Sequence, residues 1–346
     1  MRIAIFSDSF TQLNGVATHI RNIAEKLTRR GHEVTVYTGS GISDKFKVVN
    51  LPKLPFVFSP GYELIIPRPV HVDADVVHVH TVYSAGWIGI TEKRPRVITT
   101  HTLPKHIFPY NWLSFLRPLG WKYLISIYNR ANHAVCQTER TAEMFRGHGL
   151  KIPISIISAG VDVDFFKRGN AKRFREKYRI DGEFVLSTAR LSPEKRPEFA
   201  LRACRELGLK IVLTSRGPLK EKLRQKYPEA IFSITNISRE DLKDIYAAAK
   251  VFVLTSAPGV ESEGLGTLEA MCSGVPVVCS DVPHIVKDGE NGFLFGNYEE
   301  FKRKLETLWR DEGLRGKFIK NGRKTAEERN IERVVDKLIG VYKTLL

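Results

Sequence analysis

Glu261-Ser262-Glu263-Gly264-Leu265-Gly266-Thr267-Leu268-Glu269-Ala270-Met271 is a polar, glycine-bearing stretch held between two apolar runs. Val251-Phe252-Val253-Leu254 precedes it, and Val275-Pro276-Val277-Val278-Cys279 follows after Gly274. Each run is long enough for one buried strand and Gly274 reads as a helix stop, so the segment predicts strand, loop, short helix, strand. In α/β sheets, ligands bind outside the carboxyl end of a strand, where the next helix begins. Gly264 and Gly266 let a ligand approach the backbone closely. The unpaired N–H groups of the first helical turn favour an anion such as phosphate. Glu261 and Glu269 flank that anion site. A carboxylate repels a phosphate, so both acids suit another task, accepting hydrogen bonds from sugar hydroxyls. The plainer alternative is that they only complement the helix dipole.

Outward from this stretch the same alternation repeats. Phe184-Val185-Leu186-Ser187-Thr188-Ala189 reads as a strand leading into Arg190-Leu191-Ser192-Pro193-Glu194-Lys195. Arg190 and Lys195 at that strand end suit one phosphate group, arginine as a planar fork and lysine as a point charge. Lys210–Leu213 and Ala230–Ile234 read as further strands, and Ser238 caps the helix that follows. The first half opens in the same way. Ile3–Phe6 is a strand, a helix runs from about Ala17 to Arg30 with Ile20, Ile23, Ala24 and Leu27 on one face, and Glu33–Tyr37 is the next strand. The loop between them holds Gly15 but no GxGxxG, which excludes a nicotinamide or flavin fingerprint. Strands over Asp75–His80 and Arg96–Thr102 deliver His78, His80 and His101 at their carboxyl ends. No carboxylate spacing makes these three a metal site. Ala134–Thr138 and Ile154–Ile157 complete the first sheet. The polar stretch Lys167–Asp181 begins the second half, so the expected boundary follows residue 166.

With 346 residues and 42% hydrophobic composition, the chain suits two globular α/β domains. No run of about 18 apolar residues is present, which excludes a membrane-spanning helix. The first residues meet Asp8 too soon for a signal peptide. Cys136, Cys204, Cys272 and Cys279 form no ligand-spaced cluster and fit a reduced, cytoplasmic setting. The net charge of +16 points to an anionic partner: nucleic acid, an anionic membrane or a phosphorylated substrate. From Lys93 to Thr138 there is no Asp or Glu, while basic and aromatic residues interleave. Lys105, Trp112, Phe115, Arg117, Trp121 and Lys122 fall in this window, a composition suited to a membrane interface. Part of it, Leu124–Tyr128, reads as helix core. Nucleic acid is disfavoured because the window carries no known binding motif.

Taken in order, these residues resemble glycosyltransferase family 4, retaining enzymes of the GT-B fold. The resemblance runs from Met1 to about Asn297. Gly15 is similar to the family's first-loop glycine and His101 to its strand-end histidine. Gly160-Val161-Asp162 with Phe166 matches the interdomain pattern, Ala189-Arg190-Leu191 with Lys195 the phosphate pair, and Glu261 with Glu269 the paired acids ahead of Gly274-Val275-Pro276. Glu263 departs from the pattern, since the family usually has Phe there; Arg216 replaces a smaller residue.

The resemblance implies two Rossmann-like doubly wound domains facing a cleft: residues 1–166 for the acceptor, 167–325 for the nucleotide sugar, and 326–346 as a helix returning to the first domain. Glu269 would hold the ribose hydroxyls, Glu261 would sit beside the donor sugar, and Arg190 and Lys195 would neutralise the leaving diphosphate. Gly15, Gly264, Leu265 and Gly266 would approach the donor, and His101 would face its sugar. No metal and no cofactor is expected beyond the nucleotide sugar itself. The expected reaction moves a hexose, from a donor such as UDP-glucose or GDP-mannose, to a lipid or polyprenyl-linked acceptor, the enzyme lying peripherally at the inner face of the membrane. A soluble sugar or sugar-phosphate acceptor is the alternative; nucleic-acid binding and sugar-nucleotide epimerisation are weaker ones.

Overall fold

The computed structural model describes all residues except 12–14, 56–62, 104–114, 233, 235, 236, 262, 281 and 283. It divides into two units. Met1–Gly160 and Ile331–Leu346 form the first, and Val161–Asn330 the second.

The first unit runs β1 (Arg2–Phe6), α1 (Gly15–Arg29), β2 (Glu33–Thr38), β3 (Lys47–Asn50), β4 (Lys53–Pro55), β5 (Glu63–Ile65), β6 (Val76–Val79), α2 (Ser84–Thr91), β7 (Arg96–Thr99), α3 (Arg117–Tyr128), β8 (His133–Cys136), α4 (Glu139–Gly147) and β9 (Ile154–Ile156). Seven strands form a parallel sheet in the order β3-β2-β1-β6-β7-β8-β9. Its central strands are apolar on both faces, as a sheet covered on both sides requires; Ile3, Ala4, Ile5 and Phe6 are all buried. The α1 face expected from the sequence is the buried one. Ile20, Ile23, Ala24 and Leu27 pack with Ile331, Val334, Val335, Leu338 and Val341 of the C-terminal helix, Ile331–Leu345. Burying five such aliphatic side chains contributes roughly 8–15 kcal/mol before entropy is counted, enough to hold a terminal helix that would otherwise fray.

The second unit runs α5 (Val163–Phe166), α6 (Ala171–Tyr178), β10 (Val185–Ser187), α7 (Pro197–Leu207), β11 (Ile211–Leu213), α8 (Lys220–Lys226), α9 (Arg239–Ala248), β12 (Val251–Leu254), α10 (Leu265–Cys272), β13 (Val277–Cys279), β14 (Phe293–Leu294), α11 (Tyr298–Arg310) and α12 (Glu312–Glu328). Its sheet is also parallel, in the order β11-β10-β12-β13-β14. The chain changes unit after Gly160, ahead of the expected 166, because Val161, Val163 and Phe166 are buried with Leu268, Met271 and Cys272 of the second core. It returns after Asn330, not 325, because Ala326 on α12 also belongs to that core. Of the strand expected over Ala230–Ile234, residue 233 lies outside the described residues, and Ile231 bridges Val212 in parallel, with backbone hydrogen bonds to Ile211 and Leu213.

Candidate active site

Each sheet reverses its strand order once, between β1 and β6 in the first unit and between β10 and β12 in the second. Ligand crevices open at such switch points. The sequence-derived site residues collect at both.

In the second unit the loops after β10 and β12 are laced together. The carbonyls of Lys195 and Arg196 accept from the Thr255 hydroxyl at 2.9 and 3.0 Å. Arg196, in left-handed backbone at φ 43°, donates to the carbonyls of Thr255 and Ser256 at 2.9 and 2.7 Å. This brace places Lys195 Nζ 2.7 Å from Glu261 Oε1, with both side chains mostly shielded. The Ser256 hydroxyl also donates to Glu261. Arg190 pairs instead with Glu194 at 2.7 Å and keeps a side chain that is 62% exposed, which leaves it free to reorient.

The short helix α10 begins where this pair ends. Gly264 caps it at φ 74°, and a Cβ there would come within 2.9 Å of Val282, so the position requires glycine. Gly266 is tight for a different reason: an added Cβ would meet the Thr188 hydroxyl at 3.1 Å and the Tyr246 hydroxyl at 3.3 Å. Leu265 opens the helix and is partly buried. Glu269, one turn further, accepts a 2.9 Å hydrogen bond from the Tyr246 hydroxyl. Burial pushes its carboxyl up to about 7, against the pull of that hydrogen bond. Glu263 is buried, at 3% exposure. The residues that sequence reasoning missed are those that hold others in place: Tyr246, Thr188, Arg196, Thr255 and Ser256. Tyr246 reads as ordinary helix core, and nothing in its local pattern says that its hydroxyl meets Glu269.

In the first unit Gly15 is the exposed first residue of α1; the loop residues before it lie outside the described set. His101 follows β7 and is buried, with Nδ1 2.8 Å from the Gln137 amide nitrogen and Nε2 3.2 Å from His80 Nδ1. His78 bonds the Tyr342 and Thr99 hydroxyls, each at 2.7 Å. Burial lowers every one of these imidazoles below its usual range, His78 to about 3.

Of the basic and aromatic window, Lys105 and Trp112 lie outside the described residues. Phe115 is 71% exposed and Leu119, which sequence reading passed over, 58%. Lys122 is exposed on the same helix, α3, whereas Arg117 is partly buried at its start. Trp121 is half-buried, stacked on the exposed His148 at 3.8 Å and edge-on to the buried Phe145 at 5.2 Å. Pro118, Trp121, Lys122, Ile125, Ser126 and His148 line a shallow surface depression.

Two family descriptions match the chain: Glycosyltransferase Family 4 over residues 13–165 and Glycosyl transferases group 1 over residues 170–325. The chain belongs to glycosyltransferase family 4. The transferase is 27% identical over 347 residues to the alpha-monoglucosyldiacylglycerol synthase of Streptococcus pneumoniae, an alignment covering 89% of this chain and 78% of that one. It is 28% identical over 306 residues to the GDP-mannose-dependent alpha-mannosyltransferase of Mycolicibacterium smegmatis, covering 81% and 80% of the two chains. Anabaena HepE in complex with UDP-glucose shares its fold with a TM-score of 0.80 at 18% identity, over the full length of both chains. The transferase therefore has the GT-B fold of two doubly wound α/β domains. Among the described residues no helix is long and apolar enough to cross a membrane.

Proposed function

We propose that the transferase moves a hexose from a nucleoside-diphosphate sugar to a lipid-linked acceptor at a membrane surface, with retention of anomeric configuration and no divalent metal at the diphosphate. The observation that carries the donor half is the arrangement at the β10–β12 switch point. There a shielded lysine, a glycine-capped helix N-terminus and a partly buried carboxylate one turn along that helix lie on adjacent loops. A diphosphate suits the lysine and the helix N-terminus. Glu269 suits the ribose hydroxyls, because a carboxylate fixed by Tyr246 through one oxygen still has lone pairs to offer.

In this reading Lys195, joined by the exposed guanidinium of Arg190, stabilises the charge that develops on the leaving diphosphate. Glu261 exchanges its lysine partner for a hydroxyl of the donor sugar. His101 meets the donor sugar. The acceptor hydroxyl attacks from the face the diphosphate leaves, its proton passing to a leaving-group oxygen, and no covalent enzyme intermediate forms. Lipid as acceptor class is supported by the glycolipid synthase among the relatives and by the exposed Leu119 and Lys122 on α3 with the exposed Phe115 just before it.

Calorimetry with UDP and GDP tests the donor half. One of the two should bind, and Glu269→Ala should weaken it by roughly 1.5–3 kcal/mol, the scale of hydrogen bonds to a charged group. Equal affinity in a folded Glu269→Ala variant removes Glu269 from the site. A chelator should leave transfer intact, and activity lost to chelation and restored by added metal would contradict the metal-free reading.

A further inference from the structure

Histidines from three separate segments meet in the first unit. His19 lies on α1, His80 follows β6 and His101 follows β7, so all three stand around the β1–β6 switch point. One ring nitrogen of each lies within 4.8 Å of the others. Sequence reading grouped His78 with His80 and His101, but both nitrogens of His78 are occupied by Tyr342 and Thr99. His19 takes its place.

Two of the three are held by outer contacts of the kind metal ligands make. His19 Nδ1 donates to the Ala159 carbonyl at 2.8 Å, which fixes the tautomer and leaves the lone pair on Nε2. The Gln137 carboxamide holds His101 Nδ1 at 2.8 Å and can present either end to it. Metal-ligating histidines make such outer contacts through the nitrogen that does not bind the metal. His80 differs: its Nδ1 faces His101, and its Nε2, the nitrogen that would lie away from the ion, is buried with no hydrogen-bond partner. The 3.2 Å between His80 Nδ1 and His101 Nε2 is close to the ~3.4 Å edge of a tetrahedron with zinc–nitrogen bonds of about 2.0–2.1 Å. Burial holds His19 near 4 and the other two well below their usual range, so all are neutral, the form that ligates. The nearby acid, Asp8, is spent on the Thr81 and Ser84 hydroxyls and the Ala85 N–H, each at 2.6 Å. A set of three imidazoles without a carboxylate selects zinc, cobalt, nickel or copper over magnesium and calcium.

We propose that His19, His80 and His101 form a three-histidine site for a divalent transition-metal ion of the zinc type, with its fourth position open. Such an ion takes the His101 ring nitrogen. On the transfer reading given above, which this consequence rests on, occupancy then lowers transfer, and the ion acts as an inhibitor.

Cobalt(II) is the probe, because its visible absorption reports tetrahedral nitrogen coordination. Added to the purified full chain, it should give that spectrum with one ion per chain, and zinc should displace it. His19→Gln and His80→Gln, checked for folding by circular dichroism, should each weaken binding by about a hundredfold or more. His71→Gln, at an exposed histidine, should leave binding unchanged. Should the buried variants fail to fold, imidazole nitrogen NMR of the unsubstituted protein decides, since zinc should shift His19, His80 and His101 and spare His71. A folded protein that shows no tetrahedral spectrum, a spectrum that survives His19→Gln, or zinc shifts elsewhere overturns the site. Zinc bound at these histidines with transfer unaffected would leave the metal site standing and remove His101 from the reaction.

Discussion

Lys195 and Glu261 neutralise each other at 2.7 Å until a donor arrives. A diphosphate competes for that lysine with two negative charges against one, so the exchange favours the donor and releases Glu261 toward the sugar. Lys195→Ala should lower turnover by about a hundredfold or more at saturating donor, as removal of one transition-state donor does elsewhere; initial rates check it, and near-normal turnover would leave Lys195 only its structural ion pair with Glu261. Glu269 carries a pH signature. Its folded value near 7 lies above its ordinary 4.5, so between these values the folded state binds more protons than the unfolded one. Its contribution to stability is therefore full below about 4.5 and is lost as pH rises to about 7. Glu269→Gln should flatten that slope, measured by urea unfolding of the second unit at pH 5 and pH 8.

Helix α10 has eight residues, too few to stand alone in water, and depends on Leu268 and Met271 in the core and on Gly264 at its start. Gly264→Ala combines left-handed backbone with the Val282 contact and should cost about 1–3 kcal/mol. The unit's melting temperature should fall by several degrees, and donor affinity should fall with it, because the helix N-terminus would move. Helix α3 and the turn before it carry the membrane expectation. Phe115→Ser, Leu119→Ser and Lys122→Ser together should reduce binding to anionic vesicles by tenfold or more, from lost apolar burial and about 1 kcal/mol for the charge. Co-sedimentation at low salt gives the answer, and a wild type that ignores anionic vesicles turns the acceptor toward a soluble sugar. The sequence carried the loop–helix signal of α10 because glycine spacing and apolar runs are local. It could not carry Tyr246 against Glu269, 23 positions apart, or His19 beside His80, since both pairings depend on how strands order in a sheet. Trp121 shows what composition leaves open: the ring is half-buried, stacked on the exposed His148, a contact 27 positions away that no local pattern announces.

At the scale of the molecule, the buried histidines make the first unit acid-sensitive. His19, His78, His80 and His101 are all depressed below 6.5, so as pH falls the unfolded chain takes up protons that the folded one refuses. Stability is lost downward from about pH 6.5, with an uptake approaching four protons, opposed within this unit by the buried Asp8, whose carboxyl burial raises, while Glu269 opposes it in the second unit. Hydrogen exchange read separately for the two units should show the first opening at pH 5 while the second holds. If both units exchange alike, the imidazoles are solvated.

The helix Ile331–Leu345 belongs to a unit whose other elements end at Gly160, with the whole second unit encoded between them. On the ribosome this order has a kinetic meaning. The apolar face of α1 and the His78 ring emerge early, but Val335, Leu338 and Tyr342, which cover them, are made only after the whole second unit. The second unit is complete while the first still waits, exposing a surface prone to association for the time that synthesis of some 170 residues takes, about 10–35 seconds at typical elongation rates. Nascent chains stalled before residue 331 are thus where chaperone dependence should concentrate, and the C-terminal helix is the latch that ends it.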